Sequence, residues 1–329
     1  MKVSVLQFFS WPDRRVRLDE IYRRALERID VMDRTGYDTI WLAEHHFTGY
    51  SVCPSVHLMG MHVADRTTNL RIGMAVTLAG FYHPLRVAEE VALLDVLSGG
   101  RVNWGAGRGF DPTEHRVFGV EPEESYPRFR EHVEIIRQAW TCDRLNFKGQ
   151  YWQFDDIEVL PKPAQLPHPP MWLASTSPEA IAWSAKNGYS ILIDPHSSHD
   201  SVAEKRQSYE KLLVEAGHSP DNRELPVARL IAIAPTRDEA ESVARRGAQW
   251  MVGSYVGQKA IQSPSLPSHV TVDPVERYLD EVVVWGTAAE VRDKLIELRD
   301  RIPLDHLICA PLSNATFSLF TDEVLPHVR

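Results

Sequence analysis

Cysteine is scarce in this chain of 329 residues. Cys53, Cys142 and Cys309 are odd in number, far apart and without metal-ligand spacing, which excludes a disulfide scaffold and a zinc knuckle. Long apolar runs are missing too: none approaches the roughly 18 residues of a membrane span. Met1-Lys2-Val3-Ser4-Val5-Leu6 runs straight into a strand pattern rather than a targeting pattern, so a soluble cytoplasmic protein is expected. Clustered basic charge is also absent. With a net charge of -9 and Lys and Arg scattered, neither nucleic acid nor an anionic membrane is an expected partner. No G-x-G-x-x-G follows the first strand, which argues against a dinucleotide-binding domain.

What is present is a repeat of short apolar strands and amphipathic helices. Lys2 to Phe8 reads as a strand, and Leu18, Ile21, Tyr22, Ala25, Leu26, Ile29 and Met32 share one helix face. Gly36 ends that helix, and the next strand runs to Leu42. The unit recurs through strands at Asn69–Leu78, Arg101–Ala106, Met171–Ala174, Tyr189–Ile193, Leu225–Ala234 and His306–Ala310. A polar loop is expected after Phe110, before a long helix from about Glu123 to Trp140. The aromatic alternation of Phe147, Tyr151, Trp152 and Phe154 around Lys148-Gly149 predicts an inserted β-hairpin. Residues 253–273, rich in Gly, Ser, Pro and Gln, are expected to form a mobile flap, and Pro274 to Val284 a short extra helix. Eight strands alternating with helices and no linker of domain-boundary character predict an α/β fold, a single (β/α)8 TIM barrel over residues 1–329.

Chemistry in such a barrel gathers at the carboxyl ends of its strands. Glu44-His45-His46-Phe47 follows the apolar strand Asp38–Leu42 directly and sets two imidazoles there. Both can be read as structural histidines, or, since successive side chains leave a strand in opposite directions, as one structural and one functional. Arg108, between Gly107 and Gly109, can offer a fork to phosphate or be a solvated loop arginine. Ser175-Thr176-Ser177 opens a helix and can cradle an anion or simply cap that helix. No third ligand with metal spacing accompanies the histidine pair.

These stretches occur together in an order that resembles the bacterial luciferase-like, flavin-dependent monooxygenases. The resemblance is carried by Gly36-Tyr37-Asp38-Thr39-Ile40-Trp41-Leu42, Glu44-His45-His46-Phe47, His83-Pro84 to Leu94-Asp95, Gly99-Gly100-Arg101, Arg108-Gly109 and Arg116-Val117-Phe118-Gly119, without gaps from about Gly36 to Gly119. It implies a barrel that binds FMN and uses the reduced flavin with molecular oxygen, through a flavin peroxide, to oxygenate a small organic substrate. NAD(P)H would reduce the flavin directly or through a separate flavin reductase. His45 matches the catalytic histidine, a group suited to managing protons near neutral pH. His46 matches a dimer-interface residue that meets a glutamate matching Glu89, so a homodimer is implied. Arg108, Thr176 and Ser177 match phosphate-holding positions, and Ala75 and Val76 a pair joined by a cis peptide beneath the isoalloxazine ring.

Two departures stand out. Ala180 replaces a further phosphate-binding hydroxyl, and Gly107 stands where the light-emitting enzymes carry a reactive cysteine, so a substrate other than a long-chain aldehyde is expected. Phe8, Phe9, Trp11, Phe110, His196 and Tyr255 are candidates for its pocket. The alternatives are a deazaflavin-dependent oxidoreductase of the same superfamily, which passes hydride, and a non-catalytic flavin-binding relative.

Overall fold

The computed structural model describes residues 1–221, 223–256, 273–302 and 304–329. Most of the expected flap, at 257–272, lies outside the described residues. In chain order the elements are β1 (Lys2–Gln7), α1 (Leu18–Thr35), β2 (Thr39–Leu42), α2 (Val56–Arg66), β3 (Arg71–Met74), α3 (Pro84–Leu97), β4 (Val102–Ala106), α4 (Pro112–Phe118) and α5 (Pro122–Thr141). Then come β5 (Leu145–Lys148), β6 (Gln153–Ile157), β7 (Met171–Ala174), α6 (Pro178–Lys186), β8 (Ser190–Leu192), α7 (His199–Glu215), β9 (Pro226–Ile233), α8 (Arg237–Met251), β10 (Val283–Gly286) and β11 (His306–Pro311). Further helices lie at Pro274–Glu281, Ala288–Arg301 and Asn314–Leu319. All eight strands expected for a barrel are present, as β1 to β4, β7, β8, β9 and β11.

The chain forms two compact units. One comprises Phe8–Arg34 and Thr39–Ala174. Its strands β2, β3, β4 and β7 pair in parallel, with Trp41 opposite Gly73, Gly73 opposite Asn103, and Gly105 opposite Trp172. The fully buried rings of Trp41 and Trp104 fill its core. Trp41 meets Trp172 edge-on at 5.5 Å and Trp104 meets Trp140 at 5.1 Å. Gly73 makes the first contact possible, because a Cβ there would stand 2.4 Å from the Trp41 ring. The expected hairpin is β5 with β6, antiparallel, with Phe147 opposite Phe154. Its turn is tied down by the Glu131 carboxylate, which accepts the N–H groups of Gln150, Tyr151 and Trp152 at 2.8, 3.0 and 2.7 Å.

The other unit comprises Met1–Gln7, Thr35–Asp38 and Ser175–Arg329. Here β1, β11, β9 and β10 run parallel side by side, and Ile193, just past β8, bridges Val227 of β9. β9 is buried along its whole length, Arg229 included, and is otherwise apolar. Thr236 with Glu239 and Thr287 with Glu290 form reciprocal capping boxes that start two of its helices.

Two elements differ from the sequence expectation. The polar loop after Phe110 contains α4, whose N-cap Asp111 accepts the Thr113 N–H and whose end is marked by Gly119 in the left-handed region. The expected helix Pro274 to Val284 stops at Glu281, and Val283–Gly286 instead pairs with Leu230–Ile233 as β10. Val283-Val284-Trp285 follows the helix without an intervening Gly or Pro, so periodicity alone does not separate the two. Among the described residues no helix is long and apolar enough to cross a membrane.

Candidate active site

The chain leaves β2 through Ala43 and Glu44, and Phe47 then takes a left-handed backbone with φ of 58°. The Glu44 side chain is 1% exposed, that of His46 8% and that of His45 12%.

Glu44, whose function the sequence left open, is a buried hub. Its carboxylate accepts the Tyr82 hydroxyl at 2.5 Å, lies 3.0 Å from His46 Nε2, and accepts the Leu78 N–H at 3.4 Å. Burial first, and the Glu44 charge second, hold the Tyr82 phenol well above its usual range, so it remains a donor. His46 is therefore bonded within its own chain, with its ring edge-on to Phe118 at 4.9 Å. Glu89, assigned to the same interface, lies on α3 with 41% of its side chain exposed.

His45 is held differently. Its ring meets Tyr50 edge-on at 4.9 Å and Phe110 at 6.1 Å, and Phe8 in turn meets Tyr50 edge-on at 5.2 Å. Its Nδ1 stands 3.8 Å from Oε1 of Glu114, and that oxygen accepts the His46 N–H at 3.0 Å. Glu114 is fully buried on α4, and its Oε2 has no partner among the described residues. A cavity of about 360 Å³ opens beside His45, lined also by His46, Phe47, Trp11, Tyr22, Ser51 and Val52. Phe9 does not contribute to it, being fully buried in the core. Cys53 is no competing nucleophile, since burial pushes its thiol up to about 12.

Past the end of β3, the Ala75–Val76 peptide is cis. Val76 packs where a side chain at residue 107 would otherwise sit: a Cβ on Gly107 would lie 2.3 Å from Val76 Cγ2. Next to it, Arg108 donates from Nη1 to Ser125 Oγ at 2.8 Å and lies over the Tyr126 ring at 4.3 Å. The rest of its fork has no protein partner among the described residues.

In the other unit, Ser177 caps α6 by accepting the Ala180 N–H at 3.2 Å, and Thr176 beside it is exposed. His196 Nδ1 bonds the Tyr278 hydroxyl at 3.0 Å. The Tyr255 side chain lies outside the described residues. The structure thus gathers His45, His46, Phe8, Phe110, Ala75, Val76 and Arg108 in one unit and Thr176, Ser177 and His196 in the other. Glu114 and Tyr82 are the site residues that sequence reasoning missed. Glu114 was findable, because Asp111-Pro112 before it and Gly119 behind it are helix start and stop signals. Among the described residues no cluster of His, Cys, Asp and Glu is arranged to hold a metal ion.

The oxygenase component of a flavin-dependent trigonelline monooxygenase from Acinetobacter baylyi is 27% identical over 290 residues, covering 84% of this chain and 79% of its own. Among solved structures, the monooxygenase RslO1 from Streptomyces bottropensis superposes with a TM-score of 0.85 at 23% identity, over 100% of both chains. The oxygenating constituent of 3,6-diketocamphane monooxygenase from Pseudomonas putida, solved with FMN, follows at 0.82 and 18% identity, over 100% of this chain and 99% of its own. An F420-dependent secondary alcohol dehydrogenase reaches 0.80 at 20% identity with the same coverage. These structures share the fold. Residues 1–304 match the luciferase-like monooxygenase family as a whole, and the chain belongs to that family.

Proposed function

We propose that this protein is an FMN-dependent monooxygenase that uses reduced flavin and molecular oxygen to oxygenate a small organic substrate, on the (β/α)8 barrel expected from its sequence. The observation that carries this reading is His45, backed by buried Glu114 and open on one side to a cavity. The residues present fit the cofactor: Gly107 keeps the backbone bare beside Val76, and Arg108 is fixed on Tyr126 with most of its fork unused. When bound, reduced FMN supplies the electrons that activate oxygen. Arg108, and separately Thr176 and Ser177 at the start of α6, would hold its phosphate. Ala75 and Val76 would support its ring. His45 would hold or deliver a proton at its imidazole, with Glu114 fixing the ring's orientation. Water exclusion by side chains around His45 would limit wasteful loss of oxygen as hydrogen peroxide.

Phe8, Phe110, His196 and Tyr255 remain proposed substrate contacts. Reducing power from NAD(P)H, directly or through a separate reductase, completes the reading. A homodimer is proposed as well, because α2 and α3 pack together and leave Leu58, Leu93 and Leu97 exposed on the same unit as His46 and Glu89.

The decisive experiment mixes the purified protein with reduced FMN, or with reduced deazaflavin F420, and follows oxygen uptake and cofactor binding. FMN binding with oxygen consumption is expected. Binding of F420 but not FMN would make the chain a hydride-transfer enzyme. Tight FMN binding without oxygen consumption or turnover would make it a flavin-binding relative without catalysis.

A further inference from the structure

Thr77 follows the Ala75–Val76 pair and is fully buried. Its backbone is already committed: the N–H donates to Gly105 O at 2.8 Å, and its carbonyl accepts from Gly107 and Ala79 N–H, each at 2.9 Å. Its hydroxyl has a separate partner, His57 Nε2 on α2, at 3.1 Å. The other ring nitrogen, Nδ1, lies 2.9 Å from Glu90 Oε2 on α3. The bond to His57 is the largest influence holding the Glu90 carboxyl below its usual range. A carboxylate only accepts, so Nδ1 carries the proton, and in the neutral ring Nε2 accepts the Thr77 hydroxyl.

This carboxylate, imidazole and hydroxyl have the spacing of a nucleophile triad, but Thr77 is sealed from solvent and cannot attack a substrate. A mainly buried imidazole is costly unless both nitrogens are paired, and here both are paired to residues of other elements. The next residue is held from another direction, since Leu78 N–H donates to Glu44. Two carboxylates on separate elements therefore fix the run directly after Ala75 and Val76.

We propose that His57, braced by Glu90, is a positioning residue that fixes Thr77 and thereby sets the Ala75–Val76 segment as a cofactor platform. The identity of the cofactor rests on the FMN reading above; the tie itself does not.

The test compares wild type with His57→Leu, Thr77→Val, the double variant, Thr77→Ser and Glu90→Gln. Amide hydrogen exchange of residues 77–79 is measured without cofactor, FMN affinity by fluorescence titration, and the visible spectrum of bound FMN alongside. His57→Leu and Thr77→Val should each speed exchange and weaken FMN binding about tenfold, as expected for one lost buried hydrogen bond. The double variant should be no weaker than either single, because both remove the same bond. Thr77→Ser should behave as wild type, with an unshifted bound-flavin spectrum. Glu90→Gln, which touches neither Thr77 nor the platform, should change exchange in the same direction and serves if His57→Leu does not fold. Unchanged exchange in His57→Leu and Glu90→Gln, or effects that multiply in the double variant, overturns the proposal. If wild type binds no FMN, the cofactor reading fails on its own, and the exchange data still decide whether His57 positions Thr77.

Discussion

Oε1 of Glu114 serves two adjacent residues, accepting the His46 N–H at 3.0 Å and standing 3.8 Å from His45 Nδ1. One buried oxygen thus ties the backbone of the turn and stands beside the His45 ring that lines the cavity. Glu114→Gln keeps an acceptor for His46 and removes the charge beside His45. Substrate oxidation should slow about tenfold, less than the roughly 10²–10⁴-fold of losing a general acid or base outright because His45 itself is kept, with FMN affinity within about twofold of wild type. Single-turnover oxidation of reduced FMN with a hydrogen peroxide assay checks this. Full turnover with unchanged peroxide yield would remove Glu114 from the chemistry.

Gly107 gives a prediction of packing rather than of charge. Gly107→Cys places a Cβ within 2.3 Å of Val76 Cγ2, so Val76 or the strand end must shift. The substitution should cost about 1–3 kcal/mol and weaken FMN binding. Val76→Ala opens that space, and the double variant Gly107→Cys/Val76→Ala should recover part of the loss. Denaturant unfolding and FMN titration of the three variants measure it; equal stability of Gly107→Cys and wild type would refute the packing account.

Apart from β10, the strands of the parallel sheet were legible because most are short, mainly apolar runs bounded by Gly, Pro or a capped helix. The histidine pair was legible for the same reason, as a polar step directly after such a run. What escaped was set by contacts distant in sequence. Tyr82 lies 38 positions from Glu44, and Glu114 lies 68 from His46, so no local spacing relates them. Different roles for His45 and His46 were read from alternation along a strand, but both residues lie past the end of β2, and both border the same cavity. β10 was missed because four residues after a helix carry no period of their own.

Glu224 controls an acid-sensitive joint. It bonds Nδ1 of the fully buried His306 at 3.3 Å, His306 Nε2 meets Ser4 Oγ at 2.6 Å, and Lys2 pairs with the same carboxylate. Chiefly through His306, and then Lys2, its carboxyl is lowered from the ordinary 4.5 to about 2. A depressed carboxylate stabilises the fold fully above its unfolded value, and the gain is lost as pH falls from about 4.5 through about 2. Allowing for its partial exposure, the contribution is about 1–2 kcal/mol. Glu224→Gln should lower stability by that amount at pH 7 and flatten the acid arm of the stability curve in that window. Urea unfolding from pH 7 to pH 2.5 measures both, and parallel curves would show that the joint contributes nothing.

Leu93 and Leu97 lie one turn apart on α3, 47% and 59% exposed, in line with Glu89 four residues before Leu93. Leu58 on the neighbouring α2 is 75% exposed. Spacing of four keeps Glu89, Leu93 and Leu97 on one face, and two leucines on such a face are better explained by a second copy than by solvent. Covering them yields roughly 1 kcal/mol per leucine, and a two-fold interface presents every contributing residue twice. Leu93→Glu/Leu97→Glu should therefore convert the proposed dimer into a folded monomer. Sedimentation velocity reads the mass directly, and FMN affinity measured on the same sample shows whether one copy binds cofactor unaided. A wild-type monomer at micromolar concentration, or a variant that stays dimeric, would move the interface elsewhere or remove it.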